Sequence, residues 1–343
     1  MTKYYDGTKL LSLKDLNGRT PEIYICTSNR SAGKTTFFNR YLIKKFKNKG
    51  EKFLLLYRYK YELSEVSDKF FKDIKNYFFK TDEMTSVSKA KGLFVELLLN
   101  DISCGYAVAL NSADNLKKYS HLFSDTKRIL FDEFQTENNQ YCSNEVKKFI
   151  SIHTSVARGQ GAQSRYVPVY MLSNTVNVLN PYYVELGISE RLQPNTKFLR
   201  GNGYVLEQGY NESAKNAQVN SAFMSAFNNT YVDYSINGSY LYSDSAFIEK
   251  ISGLNRYLCT IKFDGVEYAI REYPELNIVY CDTNIDSSNK FKIAVTTTDH
   301  NINYSLVNNS NLMVGVLRQY FNEGLFRFKN ISCKKAVLNF LKY

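Results

Sequence analysis

Gly33, Lys34 and Thr35 close the stretch Thr27-Ser-Asn-Arg-Ser-Ala-Gly-Lys-Thr-Thr36, and these residue types in this order suit one kind of chemistry. A glycine lets backbone N–H groups wrap closely around phosphate oxygens, a lysine reaches the β- and γ-phosphates, and a hydroxyl takes a place on magnesium. The phosphate-loop (Walker A) pattern GxxxxGK[ST] has its first glycine replaced by Ser28 here, a departure that bears on loop tightness and leaves the lysine and hydroxyl intact. Candidate nucleotide-binding residues are therefore Ser28, Asn29, Arg30, Ser31, Ala32, Gly33, Lys34, Thr35 and Thr36, with Thr35 also a magnesium ligand. A helix N-terminus with a surface lysine would carry the same letters, so the motif needs a second sign elsewhere in the chain.

That sign is Asp132 and Glu133, which end the apolar run Ile129-Leu-Phe131. A phosphate-loop hydrolase needs one acid to hold magnesium, usually through water, and another to polarise the attacking water. Asp132 suits the first role and Glu133 the second. Asn174 ends another apolar run; an amide there can sense a γ-phosphate, although Asn at a strand end is also a common turn former. Arg158 and Arg165 flank a Gly/Gln loop between the two runs. Such an arginine reaches a neighbouring subunit's nucleotide, binds DNA or solvates a loop. Arg30, inside the phosphate loop, is a third candidate for touching phosphate or a neighbour.

The elements that must position these side chains follow from apolar spacing. Residues 22–26 read as a buried strand before the loop, and 37–48 as a helix after it, with Phe38, Tyr41, Leu42 and Phe46 on one side and Gly50 at its stop. Residues 52–59 read as a second buried strand and 61–79 as a helix, the start of a βαβ unit. Segments 93–99 and 106–110 flank a turn-rich stretch and read as an inserted hairpin. Then come a strand over 128–133, a helix over 144–157, a loop over 158–165 and a strand over 167–174 with Pro168 near its start. Residues 196–207 read as extended and 213–227 as a helix. From about 228 the pattern changes to short strands over 246–251, 257–263, 266–271, 277–281 and 291–297, with Asp264-Gly265 as a hairpin turn and helices over 311–321 and 332–341.

Length and composition bound the rest. A chain of 343 residues, 44% hydrophobic and 22% charged, predicts two globular domains and excludes a wholly disordered, collagen-like or coiled-coil protein. No apolar run approaches the roughly 20 residues of a bilayer span, so the reading is a soluble chain with no membrane partner and no targeting segment. Six scattered cysteines without a CxxC pair speak against a disulfide framework or zinc site and fit a reducing cytoplasm. The net charge of +11 lies wholly in residues 1–200, which hold 31 basic and 20 acidic side chains, against 13 of each in 201–343. A basic first part points to a polyanionic partner, nucleic acid first, with solvated helix faces as the bland alternative.

In these residues the sequence resembles the DNA-packaging (encapsidation) ATPases of phi-29-like tailed phages, which are related to terminase large subunits and to FtsK/HerA-type translocases. The resemblance runs in order through 28–35, 57–67, 131–134, 144–146, 172–174 and 180–182, and onward through 247–250, 280–283 and 297–299. It implies an α/β fold, with a P-loop additional-strand catalytic-glutamate ATPase domain followed by a smaller α+β domain resembling a degenerate RNase H-like nuclease. The boundaries drawn are 1–200 for the ATPase domain, 201–230 for a linker region, and 231–343 for a C-terminal domain that docks or binds nucleic acid and is inactive as a nuclease. The resemblance also implies ATP and magnesium, with Lys34 and Thr35 on both, Asp132 and Glu133 as the Walker B pair, Arg158 as an arginine finger acting in trans, and Asn174 coupling hydrolysis to movement. Its implied partners are double-stranded DNA, the portal or connector of the empty capsid, a structural packaging RNA, and further copies in a homo-oligomeric ring, typically a pentamer. The implied place of action is the cytoplasm of the infected bacterial host, transiently on the capsid and not in the mature virion.

In the C-terminal part, Asp264, Asp282, Asp286 and Asp299 are by count the acids an RNase H-like nuclease would converge on two metals. Asp264 falls in a turn and Asp286 in a Ser/Asn loop, so no functional metal cluster is expected. The basic tail, with Arg318, Arg327, Lys329, Lys334 and Lys335, offers a docking or DNA surface, or a charged helix face. Two rivals stand beside the packaging motor: another P-loop DNA translocase or helicase, and a nucleotide-gated assembly protein, against which the water-polarising Glu133 speaks.

Overall fold

Runs such as Phe53-Leu-Leu-Leu56 and Ile129-Leu-Phe131 leave no polar face, which suits parallel strands covered on both sides. The computed structural model bears this out; it describes residues 4–341 apart from 65, 138–139, 160, 162, 179, 190, 193–195, 210, 220–246 and 309–310. The chain divides into two compact units, Met1–Leu186 with Leu192–Tyr242, and Gly187–Arg191 with Ser243–Tyr343.

In the first unit, β1 (Ile23–Ser28), β2 (Lys52–Tyr57), β3 (Met84–Lys89), β4 (Phe94–Leu99), β5 (Ile102–Ala109), β6 (Thr126–Asp132), β7 (Val169–Asn174), β8 (Phe198–Arg200) and β9 (Tyr204–Gly209) form one sheet. Its order is β3-β4-β5-β2-β6-β7-β1-β9-β8. The six strands from β5 to β9 in that order pair in parallel, and the antiparallel pairs lie at the two ends. β7 stands between β1, which leads into the lysine loop, and β6, which ends in the acid pair. That intervening strand is the additional strand expected of this ATPase class. Among the described residues the helices are α1 (Thr8–Ser12), α2 (Lys34–Lys49), α3 (Val66–Phe78), α4 (Ala113–Leu116), α5 (Glu145–Val156), α6 (Pro181–Glu185) and α7 (Glu212–Val219). Phe38 and Leu42 of α2, with Phe70, Phe71 and Ile74 of α3, pack on Phe53 and Leu55 of β2 to form the core on that side.

Several expectations are adjusted. The hairpin of β4 and β5 gains a third strand, β3, whose mostly polar sequence is exposed apart from the half-buried Met84 and Ser86 at the sheet edge, where apolar runs give no signal. The helix expected over 61–79 is a 3-10 turn over Lys60–Ser64 followed by α3. The extended segment expected over 196–207 is broken into the antiparallel pair β8 and β9. Residues 204–209, placed by sequence in the region between domains, pair with β1 from Ile23↔Tyr204 to Ser28↔Gly209 and so belong to the large sheet. The helix expected over 213–227 is α7 in its first part, and the remainder lies outside the described residues.

In the second unit, β10 (Arg256–Phe263), β11 (Val266–Tyr273), β12 (Ile278–Asp282), β13 (Lys292–Ala294), β14 (Ser305–Leu306) and β15 (Phe326–Phe328) form a mixed sheet in the order β14-β13-β10-β11-β12-β15. The first three pair antiparallel, and β13, β14 and β15 each add in parallel. Asp264 and Gly265 both have positive φ, +50° and +80°, the conformation a two-residue hairpin turn requires. The strand expected over 246–251 is an isolated bridge, Ile248 with Phe328. Two helices, α8 (Leu312–Asn322) and α9 (Ile331–Phe340), complete the unit, and Ile261, Ile270, Val279, Val337 and Phe340 lie in its core. Among the described residues no helix is long and apolar enough to cross a membrane.

Candidate active site

β1 carries the chain into the interior of the sheet, and the loop that follows turns back into α2 at Gly33, whose φ of +95° is one an L side chain rarely adopts. Ser28, where the motif's first glycine is missing, is the last residue of the strand and needs no positive φ; the left-handed residue is Ser31, at φ +60°. The substitution therefore leaves the turn intact and adds a hydroxyl: Ser28 Oγ accepts from Lys34 Nζ at 2.7 Å. The loop is braced from outside. Tyr5 N donates to Ala32 O at 2.8 Å, Asn211 N to Asn29 Oδ1 at 3.0 Å, and the Tyr5 hydroxyl to Glu207 at 2.6 Å.

Lys34 is buried, and besides Ser28 Oγ its ammonium donates to Ser28 O at 3.5 Å, Asn29 O at 3.2 Å and Asn174 Oδ1 at 3.3 Å. All four acceptors are neutral oxygens. Burial pushes the Lys34 pKa below the ordinary lysine value, with Asp132 acting against the shift. A cation held among neutral oxygens at a helix N-terminus is suited to an anion such as phosphate.

The parallel register sets Ser28 beside Asn174 and Asp132 beside Leu172, so β1, β7 and β6 deliver the lysine, amide and acids to one edge. Thr35 Oγ1 donates to Asp132 Oδ2 at 2.7 Å. Burial, together with the neighbouring Glu133 charge, pushes the Asp132 carboxyl up, against the hydrogen bonds from Thr35 and the Glu133 N–H. A hydroxyl and a carboxylate side by side are the hard oxygen donors magnesium takes, and the raised proton affinity of Asp132 is what a bound cation would reverse. Thr35 and Asp132 are thus the donors that would hold a magnesium ion here.

Glu133 is exposed, sits at φ +55° and points into a cavity of about 350 Å³ that also takes in Thr35, Asp132 and Arg58. The turn it occupies is tied on two sides. Phe134 N donates to Leu172 O at 3.1 Å, and Gln135 Oε1 accepts from Val176 N and Asn177 N at 3.2 and 2.9 Å. From the other side, the buried Arg58 donates to Glu133 O at 3.2 Å and Phe134 O at 2.7 Å.

The structure therefore brings Ser28, Asn29, Lys34, Thr35, Asp132, Glu133 and Asn174 together, with Ala32, Gly33 and Thr36 completing the loop and start of α2. Arg30 is paired with Glu137. Arg158 is not in this group; it is exposed just beyond α5, donates to Thr154 O at 3.4 Å and borders a different cavity with Lys117, His121 and Gly159. Arg165 binds backbone instead, donating to Val156 O at 2.6 Å and Thr126 O at 3.2 Å, which fastens the end of α5 to β6.

In the second unit the four candidate acids have local partners. Asp282 accepts from Arg271 and Asn284 N, Asp299 from Gly265 N and Thr296, Asp286 from Ser288, and Asp264 pairs with Lys335 at 3.7 Å. Among the described residues no group of three or more His, Cys, Asp or Glu side chains is placed to hold a metal. The tail cations are also engaged locally: Arg318 with Leu341 O, Arg327 with Glu249, and Lys329 with Thr283.

Sequence reading missed Arg58, Glu145, Gln135 and the outer braces Tyr5 and Asn211. Each lies far along the chain from what it holds, and a single charged or amide residue carries no periodic signal. The only available sign was that Arg58 and Glu145 fall inside the resembling segments 57–67 and 144–146.

Comparison with known proteins gives the chain's family and fold. The chain matches the family described as podovirus DNA encapsidation protein (Gp16) over residues 1–342. The DNA packaging protein of Bacillus phage phi29 is 27% identical over 332 residues, 95% of this chain and 93% of the relative. That of Bacillus phage B103 is 26% identical over 306 residues, 88% and 90% of the two chains. A chain of the bacteriophage phi29 viral genome packaging motor assembly superposes over 99% of this chain and 98% of its own with a TM-score of 0.69 at 24% identity, a shared fold.

Proposed function

Because the chain belongs to the podovirus DNA encapsidation protein (Gp16) family, we propose that its loop 28–36 and Asp132-Glu133 form one ATP-hydrolysing site that drives double-stranded DNA into an empty capsid. The observation that carries this reading is the convergence of Lys34, Asn174 and the Thr35–Asp132 pair from three adjacent parallel strands.

In this reading the loop N–H groups and Lys34 cradle the β- and γ-phosphates, which replace the neutral oxygens now around the ammonium. Thr35 and Asp132 hold magnesium, which when bound neutralises phosphate charge. Glu133 takes a proton from the attacking water. Asn174, already bonded to Lys34, registers loss of the γ-phosphate. Arg158 lies outside its own chain's site and serves a neighbour's, so the working form is a homo-oligomeric ring, a pentamer by family likeness, seated on the capsid portal or its packaging RNA in the infected cell. The basic first part grips DNA phosphates without reading bases, since a motor must accept every sequence.

The test is a split between binding and turnover. Lys34→Ala should weaken ATP binding by roughly 10²-fold while Glu133→Gln binds ATP like the parent, each followed by titration calorimetry. Equal binding by the Lys34→Ala protein would contradict the assignment of the loop.

A further inference from the structure

Glu133 has a positive φ of +55°, a backbone region that L side chains rarely adopt and that persists where the surroundings hold it. The enforcing group on the β2 side is Arg58, directly after that strand. Its Nη1 donates to Glu133 O at 3.2 Å and its Nη2 to Phe134 O at 2.7 Å. Its Nε, at 3.0 and 3.1 Å from the two oxygens, and its Nη2, at 3.1 Å from Oε1, lie against the carboxylate of Glu145. Glu145 opens α5 and is itself held by the Tyr182 hydroxyl at 3.0 Å and Cys142 N at 2.9 Å. Arg58, Glu145 and Tyr182 are all buried.

A buried ion pair is weak evidence for stability, because desolvation offsets much of its attraction and apolar residues of similar volume often do as well. What this pair supplies that apolar residues cannot is a planar fork with donors aimed at two successive carbonyls. We propose that Arg58 is a positioning residue for Glu133: clamped from behind by Glu145, it fixes the turn that aims the catalytic carboxylate into the cavity it shares with Thr35 and Asp132. The inference rests on the reading of Glu133 as the group that polarises water. Because Glu145 heads α5, the same clamp also seats the helix that precedes Arg158.

The experiment compares the full-length parent with R58M/E145M, which replaces the pair by apolar side chains, and with Arg58→Lys, which keeps a cation against Glu145 but lacks the fork. Melting temperature, ATP affinity and saturated ATP turnover are measured for each under conditions where the parent hydrolyses ATP. The expected result is folded protein with ATP affinity within about twofold of the parent and turnover lowered tenfold or more, since a misplacement near 1 Å costs about 10²-fold. Parental turnover in either variant overturns the proposal, as does a loss that follows melting temperature or ATP affinity instead of turnover. Should R58M/E145M fail to fold, Arg58→Lys decides alone. A Glu133→Gln control that still hydrolyses ATP would remove the premise itself, a failure distinguishable from that of the clamp.

Discussion

At the scale of single residues, the site is an arrangement of groups held against their own preference. Asp132 shows this most clearly. Its carboxyl proton affinity is raised by burial and by Glu133, so its ionised form is opposed in the metal-free chain. A raised folded pKa gives stability below the unfolded value, near pH 3.9, that is lost as pH rises through the folded value. At neutral pH Asp132→Asn should therefore raise the melting temperature of metal-free protein, and the difference should shrink on acidification. Magnesium and ATP together should stabilise the parent and leave the variant nearly unmoved, as measured by thermal melting. A variant less stable than the parent without metal would contradict the account. At this scale the sequence was legible where chemistry ends an apolar run, as at Asp132, Glu133 and Asn174. Its residue patterns gave no role to Arg58 and Glu145, which are 87 residues apart and resemble surface charges until the fold buries them.

At the scale of elements, the central parallel strands were legible because they are continuous apolar runs, and α2 and α5 because their apolar residues recur at helical spacing. β3, β14 and β15 were not, being polar or only two or three residues long. Their places are set by neighbours already in the sheet, which no local pattern records. Gly105 is a case where a close approach dictates the residue. A Cβ there would stand 2.3 Å from Phe53 O of the paired strand β2. Gly105→Ala should therefore force β5 from β2 and cost roughly 3 kcal/mol or more, seen as a lower urea midpoint for the first unit. An unchanged midpoint would show that the sheet yields at little cost. Because β2 ends at Arg58, loosening it should also weaken the hold on Glu133.

For the whole molecule, the charge imbalance and the placement of Arg158 belong together. The first 200 residues carry the entire net charge of +11, which favours DNA as the polyanion this part meets. Arg158 lines a different cavity from the one that Thr35, Asp132 and Glu133 share, and the proposal that it serves a neighbouring copy starts from that placement. Residues 204–209, which the composition shift places beyond the first domain, complete its sheet instead; composition marks changes of texture, and strand pairing decides membership. On the proposed function, the hydrolytic site is completed between copies and stimulated by DNA. The most direct test is the rate of ATP hydrolysis per subunit against protein concentration, with and without double-stranded DNA, using Glu133→Gln as the blank. The rate is expected to rise with both concentration and DNA and to be lost in the variant. A rate per subunit independent of concentration and DNA, or one that survives in the Glu133→Gln protein, would contradict the proposed function.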